Sequence, residues 1–294
     1  MKKWIYLTVV ICTLGAVQSC ERVIDIDLPA SEDLLVVEGS IEPGQSPKVL
    51  ITRNRGFFNA FPTDLEAFIT EFVVQDAVVT VSDGQTSEVL QFTVNPLSYP
   101  FVYYSGSMLK GEIGKTYALR IESGGKILTS YTRISGAVQL DSAWFGLNPF
   151  DSTEDSLGVS YGQITDPDTM GNAYRLFVRK NSESSYFAVA GSQFNDDFVN
   201  GQSVVFFNGQ SQQPFVSSDT FVPKSFFYTL GDTIFLKLCS IGRNELQFFN
   251  TLDAAVNSNG NPFASPTVVK TNIQGGLGIW CGYSPAYDTI IATN

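Results

Sequence analysis

The sequence predicts a mostly β protein: an N-terminal immunoglobulin-like β-sandwich, then a larger β-sandwich or partly closed β-barrel carrying one helix. Three observations predict it. Short β-branched and aromatic runs, drawing on 23 Phe and 12 Tyr, alternate with clusters of Gly, Asn, Asp, Ser and Pro. Long helical heptads are missing. Hairpin signals recur at close spacing, giving seven or so short strands in about 100 residues, the density of a sandwich.

Residues 34–135 are assigned to the first domain. "LLVVEGSI" reads as a strand, "EPGQSP" as a turn and "KVLITRNRGFF" as the next strand, with a longer loop through Pro62 and Asp64. "DAVVTVSDGQTSEVLQFTV" is two alternating strands around Asp83-Gly84. "GKTYALRIESGGKILTSYTRI" repeats that form around Gly124-Gly125. "SGAVQLDS" is the expected junction, and residues 136–294 form the second domain. There "SAWFGL", "GVSYGQI", "AYRLFVRK", "SYFAVAG", "QSVVFFN" and "DTIFLKLCSI" read as strands. Residues 243–257 depart from the pattern: Leu246, Phe249, Leu252 and Val256 fall at helical spacing. "GGLGIWCGYS" and "AYDTIIA" read as closing strands.

The N-terminus has its own logic. Lys2 and Lys3 precede an apolar core, Trp4 to Leu14, that is short for a membrane span. "VQSC" then matches the junction of a bacterial lipoprotein signal, with Gln18 a departure from the strict pattern. Residues 1–19 are therefore expected to be a lipoprotein signal peptide, and residues 20–33 a lipidated N-terminus and tether. Cys20 would carry the lipid, each buried methylene adding about 0.8 kcal/mol to membrane binding.

Charge and composition exclude several classes. A formal net charge of −11 without a basic cluster disfavours nucleic acid. The chain has no histidine, which removes most Ser-His-Asp and Cys-His systems and every His-ligated metal site. Phosphate-loop and dinucleotide-turn motifs are missing. No cofactor is expected.

The ordered segments "CERVIDIDLP", "LLVVEGSI", "DAVVTVSDG", "GKTYALRI", "ITDPDTMGNAYRLFV", "FNDDFVNGQSVVFF", "GDTIFLKLCSI" and "NPFASPTVVKTNIQGGLGIWCGY" resemble a family of Bacteroidetes lipoproteins, domain of unknown function 4249. The resemblance runs over nearly the whole chain after the signal. It implies an outer-membrane lipoprotein commonly paired with a TonB-dependent receptor, facing the periplasm or the cell surface. It transfers no catalytic residue.

The candidate sites are few. "DPDTMG", with Asp166 and Asp168, is faintly like a calcium loop but lacks the distal Glu, and with Pro167 and Gly171 it suits a turn between two strands better. "FNDDFVNG" sets Asp196 and Asp197 beside aromatics, as a ligand or calcium loop would, and as Asx-turns would. Convergence of the two loops would favour a site. "SGGK" at 123–126 has Ser-x-x-Lys spacing but sits in a hairpin turn. "YPFVYYSG", Trp144, Trp280 and Tyr283 offer rings for a core or for stacking on sugars, with Tyr103 or Tyr104 the more exposed of the run. Cys239 and Cys281 could pair, closing a loop of about 42 residues for roughly 3–4 kcal/mol, or stand as two buried thiols. The expected function is a non-enzymatic accessory or ligand-capturing partner of the receptor in nutrient uptake, its ligand a small molecule, peptide or glycan. A carboxylate-dependent glycan hydrolase and a structural adhesin are the alternatives.

Overall fold

The computed structural model describes residues 34–54, 64–150, 156–181, 183–211, 226–258 and 267–293. It is mostly β, and the strands fall in two layered groups. The first group holds β1 (Leu35–Ile41), β2 (Lys48–Arg53), β3 (Val78–Ser82), β4 (Ser87–Val94), β5 (Val102–Ser105), β6 (Thr116–Ser123) and β7 (Lys126–Arg133). The second holds β8 (Ser142–Leu147), β9 (Leu157–Thr165), β10 (Ala173–Lys180), β11 (Phe187–Asn195), β12 (Ser203–Asn208), β13 (Tyr228–Thr229), β14 (Thr233–Ile241) and β16 (Ser284–Ile291). Between the last two in sequence lie helix α2 (Arg243–Ser258) and strand β15 (Leu277–Gly282). A short helix α1 (Leu65–Phe72) follows β2.

The first group runs β15-β1-β2-β5-β4-β3-β6-β7. β4 changes partner midway: Ser87–Leu90 pair with β3, and Gln91–Val94 pair with β5. That switch folds the strand path into two layers around one core. Alternation supplies the core, since every second residue of β1, β3 and β6 turns inward. Leu35, Val37, Ile51, Val79, Leu119, Leu128 and Trp280 all belong to it. The path nearly closes, because Thr129 and Gln274 exchange backbone hydrogen bonds of 3.1 and 2.8 Å beside β7.

β15 is the surprise of this group. Expected to close the second domain, it lies parallel to β1, Gly39 opposite Trp280. A Cβ on Gly39 would stand 2.7 Å from the Trp280 ring, so the glycine leaves the space that the indole fills. The indole Nε1 donates to the Tyr117 carbonyl at 3.0 Å. Residues 135–141 do lead from the first group into the second, yet Asp33–Asn294 form one compact unit.

In the second group, β11-β10-β14-β16 forms one sheet and β12-β9-β13 with β8 the other. Their shared core includes Ile164, Tyr174, Leu176, Val178, Leu236 and Leu238. The other face of β10 and β14 receives α2, whose Leu246, Phe248 and Phe249 pack with Cys239, Ile279 and Cys281. The helical spacing at 243–257 is realised, with Val256 left 64% exposed.

Three further features follow from local chemistry. α1, read as loop, starts where Asp64 accepts from the Ala67 N–H at 2.8 Å. "FVYYS" contains β5. Within it Tyr104 is buried, its hydroxyl donating to the Val74 carbonyl at 3.0 Å, while Tyr103 is the half-exposed ring. "SGGK" is the expected hairpin turn, both glycines at positive φ.

Candidate functional site

The second sandwich is open along the edge between β11 and β12, and there it holds a pocket of about 690 Å³. Its floor is core: Leu176, Val189 and Val204. Its walls are rings. Phe194 on β11 and Phe206 on β12 face each other at 5.6 Å, and Phe194 rests on Tyr174 at 5.0 Å. Phe206 can lie so deep because Gly162 beneath it has no side chain; a Cβ there would stand 2.5 Å from the ring. In "VVFFN" alternation sends Phe206 inward and Phe207 outward, and both reach the pocket.

Polar groups punctuate this surface. Asn208 is buried and spent on Ser160, whose hydroxyl donates to its Oδ1 at 2.9 Å. Gln193 Nε2 donates to Asp253 Oδ2 at 2.7 Å, and the same carboxylate takes the Gly191 N–H at 3.2 Å. Asp253 thus ties α2 to the edge of β11. Asn250, from the adjacent turn of α2, reaches the pocket exposed and without a hydrogen-bond partner among the described residues. An apolar, aromatic cavity with a few convergent amides suits a small organic ligand or a peptide side chain.

The two acidic loops do converge, at the rim of this pocket. Asp196 is fully buried; its Oδ2 accepts from the N–H groups of Gly171 and Asn172 at 2.6 and 2.8 Å. Its Oδ1 takes Arg243 Nη2 at 2.6 Å, while Arg243 Nη1 reaches Asp197 at 2.7 Å. That guanidinium, first by its hydrogen bond, holds the Asp197 carboxyl below its usual range. Asp166 accepts from the Tyr174 hydroxyl and, at 3.3 Å, from the Gly201 N–H. Asp168 accepts from Asn200 at 3.1 Å. The aspartates are therefore joined by N–H and O–H donors, and among the described residues no cluster of three or more ligating side chains could hold a metal. They act as a clasp. The loop they fix lends Asn195, Phe198 and Val199 to the pocket, with Phe198 93% exposed.

Of the two readings of Cys239 and Cys281, the structure has the second, two buried thiols. Cys239 and Cys281 are free thiols in the core beneath α2. Burial pushes the Cys239 thiol up to about 12 and the Cys281 thiol well above its ordinary value. Trp280 is core, Trp144 is 38% exposed on the outer face of β8, stacked on Tyr161 at 5.3 Å, and Tyr283 packs on Phe177. Cys20 lies outside the described residues. Sequence reasoning reached the rim loop but missed Phe194, Phe206 and Gln193. The adjacent pair Phe206-Phe207 was the available signal, since neighbours on a strand point to opposite faces.

The family described as "Domain of unknown function (DUF4249)" matches residues 21–288. No curated protein matches the sequence. Among solved structures, a DUF4785 family protein from Legionella pneumophila aligns at 12% identity over 70% of this chain, with a TM-score of 0.20. The aligned region spans 52% of that protein, about half its length, and a likeness at this score carries no argument.

Proposed function

The chain belongs to the DUF4249 family, and from that premise we propose that it is a non-enzymatic, lipid-anchored capture partner of a TonB-dependent receptor in nutrient uptake. The anchor in this reading is the lipid on Cys20, and the location is the outer membrane. The observation that carries it is the aromatic pocket of about 690 Å³ between β11 and β12. Its floor and walls are built for holding a ligand: rings supply area, and Asn250 and Gln193 supply orientation. The lining includes no Asp or Glu among the described residues, so the pocket does not bring two carboxylates to one bond as glycan hydrolysis requires. An accessory protein needs only to bind and hand over.

The test is purification of the lipidated protein from native membranes in mild detergent. The receptor is expected to come with it in a fixed ratio. Reproducible recovery without any TonB-dependent receptor overturns the partnership.

A further inference from the structure

The polar atoms of the β11–β12 pocket are unevenly committed. Gln193 Nε2 donates to the Asp253 carboxylate at 2.7 Å. A carboxylate only accepts, so this bond fixes which way round the amide lies. Oε1 is left as its free end, met by no donor among the described residues. Ser192 spends its hydroxyl proton on the Leu176 carbonyl at 2.8 Å, so its oxygen can take a further bond only as an acceptor. The other fixed amides are closed. Asn208 Oδ1 accepts from the Ser160 hydroxyl at 2.9 Å, and its Nδ2 donates to the Ser160 carbonyl at 3.4 Å. Asn195 Nδ2 donates to Asp197 at 2.7 Å, and its Oδ1 takes the Asp197 N–H at 3.4 Å. The lining therefore offers two fixed acceptors, and Asn250 adds an amide that can turn either way.

Charge is missing from the same surface. No ionisable side chain lines the pocket among the described residues. The charges nearest to it are already engaged: Asp196 and Asp197 hold Arg243, and Asp253 holds Gln193 and the Gly191 N–H. A carboxylate or an ammonium moved in from water would find no countercharge, and such a transfer is unfavourable. A carboxylate would also meet two acceptors, which can give it no hydrogen bond. Apolar surface, by contrast, is left to be covered: Phe207 and Phe226 line the pocket while 49% and 37% exposed.

We infer that the pocket takes an uncharged aromatic molecule that carries its own N–H or O–H donors, of the phenol or indole kind. Its rings lie against Phe194, Phe206 and Phe207, its donors end on Gln193 Oε1 and Ser192 Oγ, and Asn250 meets whatever polar group remains. Rings supply area without charge. A buried acceptor left unmet penalises any analogue that lacks the donor, so the acceptors set the selectivity. The inference rests on the reading of this pocket as a capture site and gives the class of ligand captured.

Calorimetry on the full-length lipidated protein in detergent tests it, with the heat of mixing into detergent alone subtracted. Two scaffolds are offered, tryptophol and dihydroxystilbene, each as the free donor form, the N- or O-methylated form, a carboxylate and an amine. The donor form of at least one scaffold is expected to bind, with its methylated, anionic and cationic forms about tenfold or more weaker. Gln193→Leu removes one acceptor and should bring the donor and methylated forms to within about threefold of each other. A merely structural role for Gln193 would weaken both forms alike. Should Gln193→Leu fail to fold, Ser192→Ala removes the other acceptor and should narrow the same gap. Phe207→Ala should weaken the donor form about fivefold or more, which locates the binding in this pocket. Equal binding of a methylated form, or a gap that ignores both acceptor substitutions, overturns the assignment of the acceptors. Equal binding of a charged form overturns the uncharged class, and in these cases the pocket still captures a ligand. If no form of either scaffold binds, the ligand class is overturned, while a receptor that still co-purifies leaves the partnership standing.

Discussion

Two buried glutamates respond to pH in opposite senses, and their surroundings say why. Glu88 on β4 accepts three backbone N–H groups, from Ser107, Met108 and Leu109, at 2.7, 3.0 and 2.8 Å. Burial pushes its carboxyl up, but the three amides together outweigh burial and hold it below its ordinary value of 4.5. Gly106 allows the wrap, since a Cβ there would stand 2.3 Å from the carboxyl carbon. A depressed folded value means stability that is present above 4.5 and lost as pH falls through the folded value. Glu88→Gln should therefore cost about 2–3 kcal/mol at pH 7 and progressively less in more acidic urea titrations. Glu245, at the start of α2, is the converse. It accepts the Thr132 hydroxyl at 2.8 Å and its own backbone N–H, and burial outweighs both and raises its carboxyl above 4.5. A raised folded value means the folded state holds its proton longer, so stability falls as pH climbs from 4.5 through the folded value. The neutral isostere Glu245→Gln should gain on the wild type between pH 4 and pH 8 in the same titrations.

At the scale of elements, α2 joins the legible and the illegible. Its 3.6-residue spacing predicted a buried stripe, and Leu246 and Phe249 are 4% exposed. The stripe ends early: Leu252 is only partly buried and Val256 is 64% exposed. Leu246→Ala should therefore cost about 2–4 kcal/mol in chemical denaturation. Val256→Ala should stay within about 0.5 kcal/mol. Strands with clean alternation, such as β6 and β10, were readable because period 2 is a local property. α1 was not: its amphipathic run is only Leu65–Phe72, and the cap at Asp64 was read as part of a loop. The acidic loops were found as residues but not as chemistry. Whether an aspartate meets a metal or backbone amides depends on which loop lies opposite, and Asp196 meets Gly171 and Asn172 across 24 residues or more. The β11–β12 pocket was invisible for the same reason: its walls come from strands whose spacing at the open edge is set by packing, not by any one segment.

At the scale of the whole molecule, the decisive feature is a partner more than 200 residues away. Parallel pairing of β15 with β1 gives the first core its largest fully buried side chain, Trp280, and gives the first sheet its edge. No local pattern announces such a pairing, because "GIWC" reads as a buried strand wherever it is placed. It also changes what the N-terminal half is. Residues 34–135 have the strands of a sandwich but lack Ile273 and Trp280 from its core. They also lack the Gln274 backbone that caps β7. Thr132, at the far end of β7, likewise needs the Gly282 N–H, which donates to its hydroxyl at 2.8 Å. The fragment 34–135 made alone should accordingly show no cooperative urea transition, whereas the chain from residue 34 to its end should. Trp280→Ala in the longer chain should cost about 3–5 kcal/mol. It should also loosen amide-exchange protection in β1 and β6 together, since the indole lies on Gly39 and donates to Tyr117. If protection falls in β1 while β6 keeps its own, the indole is a local filler and the two layers do not depend on one late-arriving strand.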